Sequence, residues 1–259
     1  MQITANTILI TGGSSGIGRA LAEAFHKLGN QVIVVARREA LLESLVERNP
    51  GMKSLALDVR DPEKLKAFAL EIARTFPSLN VLINNAGIMR LENLNKVSID
   101  LTDAQAIIET NLLTPIHLTA ALLPLLKKQP RSTIINVSSG LAFLPLAMTP
   151  TYCATKAALH SYTQSLRYQL KDSSVEVLEL IPPYVATELM GPRGMNDPRA
   201  MPLAEFISEV MGILETRPQA KEICVKRVYP LRYAAEQGEQ KYEEQFLGFN
   251  QALSEGVSV

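Results

Sequence analysis

Short, almost continuously apolar runs alternate along the chain with longer amphipathic segments. The apolar runs are rich in β-branched residues and predict seven strands, at Thr7–Ile10, Gln31–Val35, Lys53–Leu57, Asn80–Ile83, Thr133–Val137, Val175–Leu180 and Glu222–Val225. The amphipathic segments predict helices, among them Arg19–Leu28, Ala40–Arg48, Glu63–Thr75 and Ala104–Lys127. Strands that lack polar alternation are typical of a parallel sheet covered on both faces. The pattern therefore predicts an α/β fold, a doubly wound, mostly parallel, seven-stranded sheet with helices on both faces, in a single domain spanning residues 1–259.

Residues 186–205 interrupt this alternation. Proline and glycine residues exclude a long regular element there, at Pro192, Gly194, Pro198 and Pro202. Apolar side chains are scattered through the same segment, at Leu189, Met190, Met195, Met201 and Leu203. Because the segment follows a strand end on the side where such sheets bind ligands, it predicts a mobile apolar flap over a site. A surface loop with a few anchoring residues is the alternative.

The C-terminal segment, residues 232–259, predicts a helix. Its large apolar side chains recur at near-helical spacing, at Tyr242, Phe246, Phe249 and Leu253. Such a stripe is most simply explained by a helix that packs on its own subunit or on a neighbouring one.

Composition and charge exclude several classes of function. The 259 residues are 47% hydrophobic and 20% charged, and the formal net charge is zero. Nothing in this balance indicates capture of nucleic acid or of an anionic membrane surface. Cys153 and Cys224 cannot form a disulfide framework, and no metal-ligand spacing surrounds them, so we expect no metal. The longest apolar stretch, His117–Leu126, is too short to span a bilayer, and without a leader sequence we expect the cytoplasm.

A glycine-rich turn follows the first predicted strand and precedes the first predicted helix. It reads Thr11-Gly12-Gly13-Ser14-Ser15-Gly16-Ile17-Gly18. Glycines permit a tight turn and a close backbone approach, while the helix N-terminus offers free N–H groups to a phosphate. In this place the turn predicts a dinucleotide site, with contacts from Gly12, Ser14, Ser15, Gly16, Ile17 and Gly18.

The turn and the motifs after it resemble the classical short-chain dehydrogenase/reductase family. T-G-x-x-x-G-x-G is followed in order by Asn84-Asn85-Ala86-Gly87, Asn111, Ser138-Ser139 and Tyr152-x-x-x-Lys156, so that the match spans residues 6–190. The resemblance implies a Rossmann fold and hydride transfer between a nicotinamide cofactor and a small-molecule carbonyl or alcohol. The C-terminal stretch and Ile181-Pro182-Pro183 are similar to the poorly characterised DltE-like bacterial subgroup.

Tyr152 and Lys156 are the central candidates for catalysis. Four residues apart in a helical pattern, they lie on one face, one turn from each other. A phenol titrates near ~10, and a neighbouring ammonium lowers that pKa towards the working range. The resemblance implies that Tyr152 is the general acid and base and that Lys156 also binds the nicotinamide ribose.

Two further residues complete the implied catalytic group. Ser139 stands thirteen residues before Tyr152, where the family has the serine that holds the substrate oxygen; Ser138 is the alternative and otherwise reads as a turn residue. Asn111 falls inside a long helix, where asparagine is a poor helix former. The resemblance implies that it kinks this helix and holds a water in a proton relay with Lys156.

The resemblance implies further cofactor contacts after the third, fourth and sixth strands, from Asp58, Val59, Asn85, Ala86, Gly87, Pro182, Val185 and Thr187. Asp58 would contact adenine, although a helix cap is the alternative for a carboxylate at a strand end. Val185 and Thr187 would grip the nicotinamide carboxamide. Pro183 stands where the family usually has glycine, which removes an N–H and restricts φ.

The end of the second strand predicts a preference for NADP(H) over NAD(H). The position where NAD-binding proteins carry a carboxylate for the ribose hydroxyls is Ala36, and Arg37 and Arg38 follow it. A guanidinium binds a 2′-phosphate bidentately, and no carboxylate stands there to repel it. Ser15 occupies a position where many NADP-specific relatives have a basic residue.

The substrate and the assembly are predicted less directly. Leu141, Ala142, Phe143, Leu144 and Pro145 follow the predicted catalytic serine and, with the flap, favour an apolar substrate. The helices around Ala104–Lys127 and Lys156–Leu170 favour a homodimer or homotetramer. The alternative function is a non-catalytic dinucleotide-binding sensor or scaffold on the same fold.

Overall fold

The computed structural model describes residues 1–254, with all their side chains except those of Pro62, Pro192, Arg193 and Ser254. Within this range seven parallel strands form one sheet in the order β3-β2-β1-β4-β5-β6-β7. The strands are β1 Thr7–Thr11, β2 Gln31–Ala36, β3 Lys53–Ala56, β4 Val81–Asn84, β5 Ser132–Val137, β6 Val175–Ile181 and β7 Glu222–Cys224. The predicted fold class is therefore confirmed.

Ten α-helices lie in the described residues. They are α1 Gly16–Lys27, α2 Glu39–Arg48, α3 Pro62–Thr75, α4 Thr102–Ile108, α5 Thr114–Lys128, α6 Pro150–Gln169, α7 Pro192–Met195, α8 Leu203–Thr216, α9 Tyr229–Arg232 and α10 Glu239–Ser254. The predicted C-terminal helical segment thus begins its long helix at Glu239, while residues 255–259 lie outside the described part of the chain.

The strands are apolar throughout because both faces of the sheet are covered. Along β1, Ile8 and Ile10 belong to one buried cluster and Leu9 to another on the opposite face. The first cluster is completed by α1 and α8, through residues such as Phe25 and Phe206. The second is completed by α3, α5 and α6, through Ile72, Leu118, Leu122, Leu126 and Leu166. Successive side chains of a strand point to opposite faces, so each apolar run serves two cores.

The long amphipathic segment predicted at Ala104–Lys127 is interrupted. A π-helical turn at Glu109–Leu113 joins α4 to α5, and Asn111 lies within it. The combined helical run Thr102–Lys128 is long and apolar enough to cross a membrane by length and composition alone. Leu118, Leu122 and Leu126 of this run are fully buried in the cluster that covers one face of the sheet.

The strand order reverses between β1 and β4, whose carboxyl ends both carry predicted motifs. In open α/β sheets ligands bind in the crevice at such a switch point. The glycine turn after β1 and the Asn85–Gly87 segment after β4 therefore meet at the expected ligand side of the sheet.

Candidate active site

The glycine turn has no room for side chains at three of its positions, Gly12, Gly13 and Gly18. A Cβ added to Gly12 would lie 2.8 Å from the Ala86 Cα, and one added to Gly18 would lie 2.5 Å from the Gly12 carbonyl oxygen. Gly16 has a φ of +52°, a left-handed conformation that favours glycine. The turn therefore brings bare backbone to the N-terminus of α1, which is the arrangement that a dinucleotide phosphate requires.

The segment after β4 is fastened to this turn by hydrogen bonds. The Asn85 side chain donates to the Thr11 carbonyl at 2.9 Å, and the backbone N–H groups of Asn85 and Ala86 donate to Thr11 Oγ1 at 3.1 Å each. Asn85 is thus a brace between two loops, and its amide is engaged by the chain itself.

Asn111 and Lys156 converge on one glycine. A Cβ added to Gly87 would lie 3.5 Å from Asn111 Oδ1 and 3.6 Å from Lys156 Nζ. The Asn111 amide holds both backbone groups of Ile88, accepting from its N–H and donating to its carbonyl at 2.9 Å each. It also donates to Thr155 Oγ1 at 3.3 Å, a contact that sequence reasoning missed. The π-turn is what allows this side chain to point out of its helix towards Ile88.

Tyr152 and Lys156 lie on one face of α6, as their spacing predicts. Lys156 Nζ is 5.6 Å from the centre of the Tyr152 ring and donates to the Val137 carbonyl at 2.8 Å. Both side chains are buried. The Ser139 side chain is close enough to the Tyr152 hydroxyl to lower the pKa of that hydroxyl.

The two serines after β5 have different partners. Ser138 Oγ donates to the buried carboxylate of Glu179 at 2.5 Å. Ser139 Oγ faces Tyr152 and accepts from the Leu141 N–H at 3.1 Å. Of the two, Ser139 is therefore the one whose hydroxyl stands beside the phenol.

The direction of the Tyr152 pKa is opposite to the one that the sequence predicts. Burial raises the pKa of Tyr152, and the hydrogen bond with Ser139 lowers it only in part. Burial also lowers the pKa of Lys156 to about 8, while the charge of Glu179 raises it. The prediction considered the ammonium alone and left out the removal of both groups from water, which disfavours the charged form of each.

The residues after β3 include an ion pair that was not predicted. Arg60 makes a forked contact with Asp58, with N–O distances of 2.6 to 3.2 Å, and lowers the pKa of Asp58 to about 2. Val59 is buried, and its carbonyl accepts a hydrogen bond from Thr114 Oγ1 at 2.9 Å.

Arg38, rather than Arg37, reaches the glycine turn. Its guanidinium donates to Ser15 Oγ at 2.5 Å and to Ser14 Oγ at 3.5 Å. The other nitrogen of the fork pairs with Glu188 at 3.1 Å. Arg37 is exposed, and its charge acts on Asp58.

The segment that follows β6 covers the site on the side of the glycine turn. The Pro182 carbonyl accepts from the Gly140 N–H at 2.9 Å, and Val185 forms a parallel bridge with Met201. A Cβ added to Gly16 would lie 3.4 Å from the Thr187 Cβ, so this segment passes directly over the glycine turn. The predicted flap thus lies against the cofactor side of the site.

An apolar wall stands next to Tyr152. It consists of Met89, Ile107, Leu146 and Cys153, with Ile88, Leu141, Met148, Met190, Phe249 and Leu253 packed against them. Met190 comes from the predicted flap, whereas Phe249 and Leu253 come from α10. Asn250 fastens that helix by accepting from the Ala147 N–H at 2.6 Å. The aromatic stripe of the C-terminal segment was the signal for this wall, but the stripe alone did not show which surface it covers.

Comparisons with known proteins agree with this geometry. Residues 6–197 match the family model for short chain dehydrogenases. The chain is 47% identical over 189 residues to the uncharacterized oxidoreductase DltE of Bacillus subtilis (strain 168), covering 73% of this chain and 75% of that protein. It is 30% identical over 244 residues to an NADP-dependent 3-hydroxy acid dehydrogenase of Schizosaccharomyces pombe, covering 88% and 94%.

Solved structures lead to the same family. A short chain dehydrogenase from Burkholderia cenocepacia in complex with NADP superposes with a TM-score of 0.82 at 25% identity, covering 95% of this chain and 99% of that one. A short-chain dehydrogenase from Sphingobium yanoikuyae in complex with NADPH gives 0.75 at 27% identity, covering 98% and 96%. This chain therefore belongs to the short-chain dehydrogenase/reductase family and is an NAD(P)-dependent oxidoreductase, similar to DltE.

Proposed function

We propose that the protein interconverts a carbonyl and an alcohol on an apolar small molecule, with NADP(H) as cofactor and Tyr152 as general acid and base. The observation that carries the proposal is the buried Tyr152 side chain, which lies beside an apolar wall and whose pKa the neighbouring Ser139 side chain lowers. A buried phenol in such a place has a proton to donate and a neighbour that can hold the oxygen receiving it. No observation favours a non-catalytic sensor.

The residues divide the work of the reaction among them. A bound nicotinamide supplies or accepts the hydride. In the reductive direction Tyr152 donates its proton to the carbonyl oxygen, and Ser139 donates a hydrogen bond to the same oxygen as negative charge develops. Lys156 binds the ribose and, as an ammonium, stabilises the phenolate that remains. Asn111 orders the backbone at Ile88 beside Lys156, and water at this place returns the proton to Tyr152.

The preference for NADP(H) rests on the charges around the glycine turn. Ala36 offers no carboxylate to the ribose, and Arg38 already lies on Ser14 and Ser15. Arg37 lies next to it and presents a second exposed guanidinium. The Schizosaccharomyces pombe relative is named as NADP-dependent, and two similar structures hold NADP or NADPH. A neighbour from Burkholderia phymatum holds NAD, but at 20% identity it informs on the fold alone.

The wall beside Tyr152 supports an apolar substrate. Its side chains are hydrocarbon, thioether or thiol groups that offer no positive charge to a carboxylate or phosphate. Phe249 and Leu253 extend this surface beyond the flap, so we assign substrate contact to α10 as well.

We also infer that the subunits associate as a homodimer or homotetramer through α4, α5 and α6. Ile108 and Leu113 are each 40% exposed on the first helical run, and Tyr168 is 71% exposed on α6. Apolar groups left in water on two neighbouring helices are typical of a subunit contact. The cytoplasmic location stays a prediction.

Replacement of Tyr152 by phenylalanine tests the central assignment. The ring and its packing remain while the proton donor is lost, so turnover should fall by roughly a hundred- to ten-thousandfold. NADPH affinity should change little. The assay is loss of NADPH absorbance over a panel of aliphatic, aromatic and charged carbonyl compounds.

Tyr168→Phe, an exposed position on the same helix, is the matched control and should keep full activity. Substantial turnover by Tyr152→Phe would overturn the role of the phenol. Faster turnover of small charged keto acids than of apolar carbonyls would overturn the substrate class.

A further inference from the structure

A fully buried carboxylate lies behind the reacting residues. Glu179 on β6 is 0% exposed, and both of its oxygens are engaged. Oε1 accepts from Ser138 Oγ at 2.5 Å, and Oε2 is 2.8 Å from His160 Nδ1. A carboxylate is rarely buried this deeply without a purpose, since removing it from water is costly even when it is paired.

The groups around Glu179 come from β7, α9, α6 and the loop after β5. Glu222 stands beside it on β7 and is held by Arg232 of α9 at 2.7 and 3.0 Å. Cys224 follows on β7, and His160 and Lys156 approach from α6, one turn apart. The Phe143 ring covers the His160 ring at a centroid distance of 4.6 Å.

These groups do not point to a metal ion. Ligand atoms of His160, Glu179 and Glu222 lie within 4.8 Å of one another, which is close enough for a metal triad. Arg232 already supplies a cation to Glu222, however, and Ser138 and His160 occupy Glu179. The cluster is therefore a network of hydrogen bonds and an ion pair, in which both carboxylates already have partners.

We propose that Glu179, supported by His160, is a positioning residue that keeps Lys156 charged and fixes the turn bearing Ser139. This inference rests on the proposed function, because it concerns the same proton donor and oxygen holder. Glu179 touches neither substrate nor cofactor. It acts on the turn bearing Ser139 through its hydrogen bond with Ser138, and it acts on Lys156 through its charge.

The mechanical part follows from the backbone. Two hydrogen bonds hold Ser138 in place. Its N–H donates to the Leu180 carbonyl at 2.9 Å, and its hydroxyl donates to Glu179. Ser139 is the next residue, so its position relative to Tyr152 depends on that anchor. A hydroxyl that holds a reacting oxygen must be placed to within a fraction of an ångström.

The electrostatic part follows from the place of Lys156. Its ammonium is buried and donates to a neutral carbonyl, that of Val137. His160, one turn from Lys156 on α6, contacts Glu179 at 2.8 Å and so places that carboxylate near the ammonium. Burial lowers the pKa of Lys156 to about 8, and the charge of Glu179 opposes this shift. Without that charge a smaller fraction of Lys156 would be protonated at working pH, and the Tyr152 phenolate would be less stable.

Glu179→Gln separates the electrostatic part from the mechanical part, because the glutamine amide keeps the shape of the Glu179 side chain and loses its charge. We expect the alkaline limb of the kcat/KM pH profile to move to lower pH by about one unit. Glu176→Gln is the matched control, since it removes a carboxylate from the same strand beside the N-terminal ammonium. The alkaline limb of the Glu176→Gln profile should coincide with that of the wild-type profile. Ser138→Ala keeps the charge and should lower kcat at every pH without moving the limb.

A measurement without cofactor or substrate checks the same claim. The pH at which Lys156 begins to titrate in the folded protein, read from urea unfolding across pH 6 to 10, should fall in Glu179→Gln and stay put in Glu176→Gln. If Glu179→Gln does not fold, the double variant Glu179→Gln with His160→Gln replaces the carboxylate and the imidazole by two amides that can hydrogen-bond to each other, and it should show the same shift.

An unmoved alkaline limb and an unmoved unfolding profile in the charge-neutral variant would overturn the inference. Activity retained in Tyr152→Phe would instead overturn the proposed function, and the unfolding profile would still report on Glu179 and Lys156. The two failures are therefore distinguishable.

Discussion

Replacing Lys156 with methionine should stabilise the protein at neutral pH in the absence of cofactor. The side chain is 4% exposed, and its pKa falls from 10.5 to about 8 on burial. Each pKa unit is worth about 1.4 kcal/mol, so holding the ammonium in the folded state at pH 7 costs about 3 kcal/mol. Methionine removes this cost but leaves the Val137 carbonyl without its donor, a loss of about 1 kcal/mol. The net expected gain in unfolding free energy is about 2 kcal/mol.

The gain should depend on pH in a defined direction. Because the folded pKa lies below the unfolded one, the unfolded chain binds more protons between pH 8 and 10.5, and wild-type stability rises across that window relative to Lys156→Met. The advantage of the variant should therefore shrink by about 2.5 kcal/mol between pH 7 and pH 10. Burial raises the pKa of Tyr152, Cys153 and Cys224, but these residues are common to both proteins and cancel in the difference.

The assay is urea unfolding of the cofactor-free protein at several pH values. Lys171→Met is the control, because this lysine is exposed and lies over the Tyr168 ring. Its stability should differ little from that of the wild type and should not show the same dependence on pH. A Lys156→Met variant that is less stable at pH 7, or a difference that does not vary with pH, would refute the reasoning.

Two further predictions concern the cofactor and the assembly. The double variant Arg37→Ala with Arg38→Ala should weaken NADPH binding by roughly ten- to a hundredfold, as expected for a lost charged contact of ~1.5–3 kcal/mol, and should leave NADH nearly unaffected. Fluorescence titration measures both, and equal losses for the two cofactors would show that these arginines do not read the 2′-phosphate. Light scattering at micromolar concentration should give a multiple of the 28.4 kDa subunit mass, and a particle of one subunit would exclude the proposed oligomer.

The sheet and the glycine turn could be predicted because their signals are local. An apolar run without alternation specifies a strand buried on both faces. Gly12 and Gly18 stand where an added Cβ would collide with neighbouring backbone, and Gly16 has a left-handed conformation that favours glycine. Spacing also placed Tyr152 above Lys156, since a helix brings residues four apart together. It favoured Ser139 over Ser138, and in the structure the Ser138 hydroxyl donates to Glu179.

Long-range partners could not be predicted. The sequence did not distinguish Arg37 from Arg38, and only the direction of each side chain separates Arg38, which lies on Ser15, from Arg37, whose charge acts on Asp58. The wall contributed by α10 depends on where a helix of the last residues docks, a contact across more than a hundred positions of chain. No local sequence pattern encodes a contact between segments so far apart in the chain.

The titration of the site is the clearest case of information held by the fold alone. A neighbouring ammonium favours a phenolate, which is the effect that a Tyr-x-x-x-Lys pattern suggests. Burial acts on the same two groups in the opposite sense, raising the pKa of Tyr152 and lowering that of Lys156. Which effect wins depends on charges elsewhere, and within the described residues the carboxylate that acts on Lys156 is Glu179, twenty-three positions along the chain and on a different element. The pair can hold and release a proton near neutral pH only when the fold, together with a bound cofactor, offsets the cost of burying it.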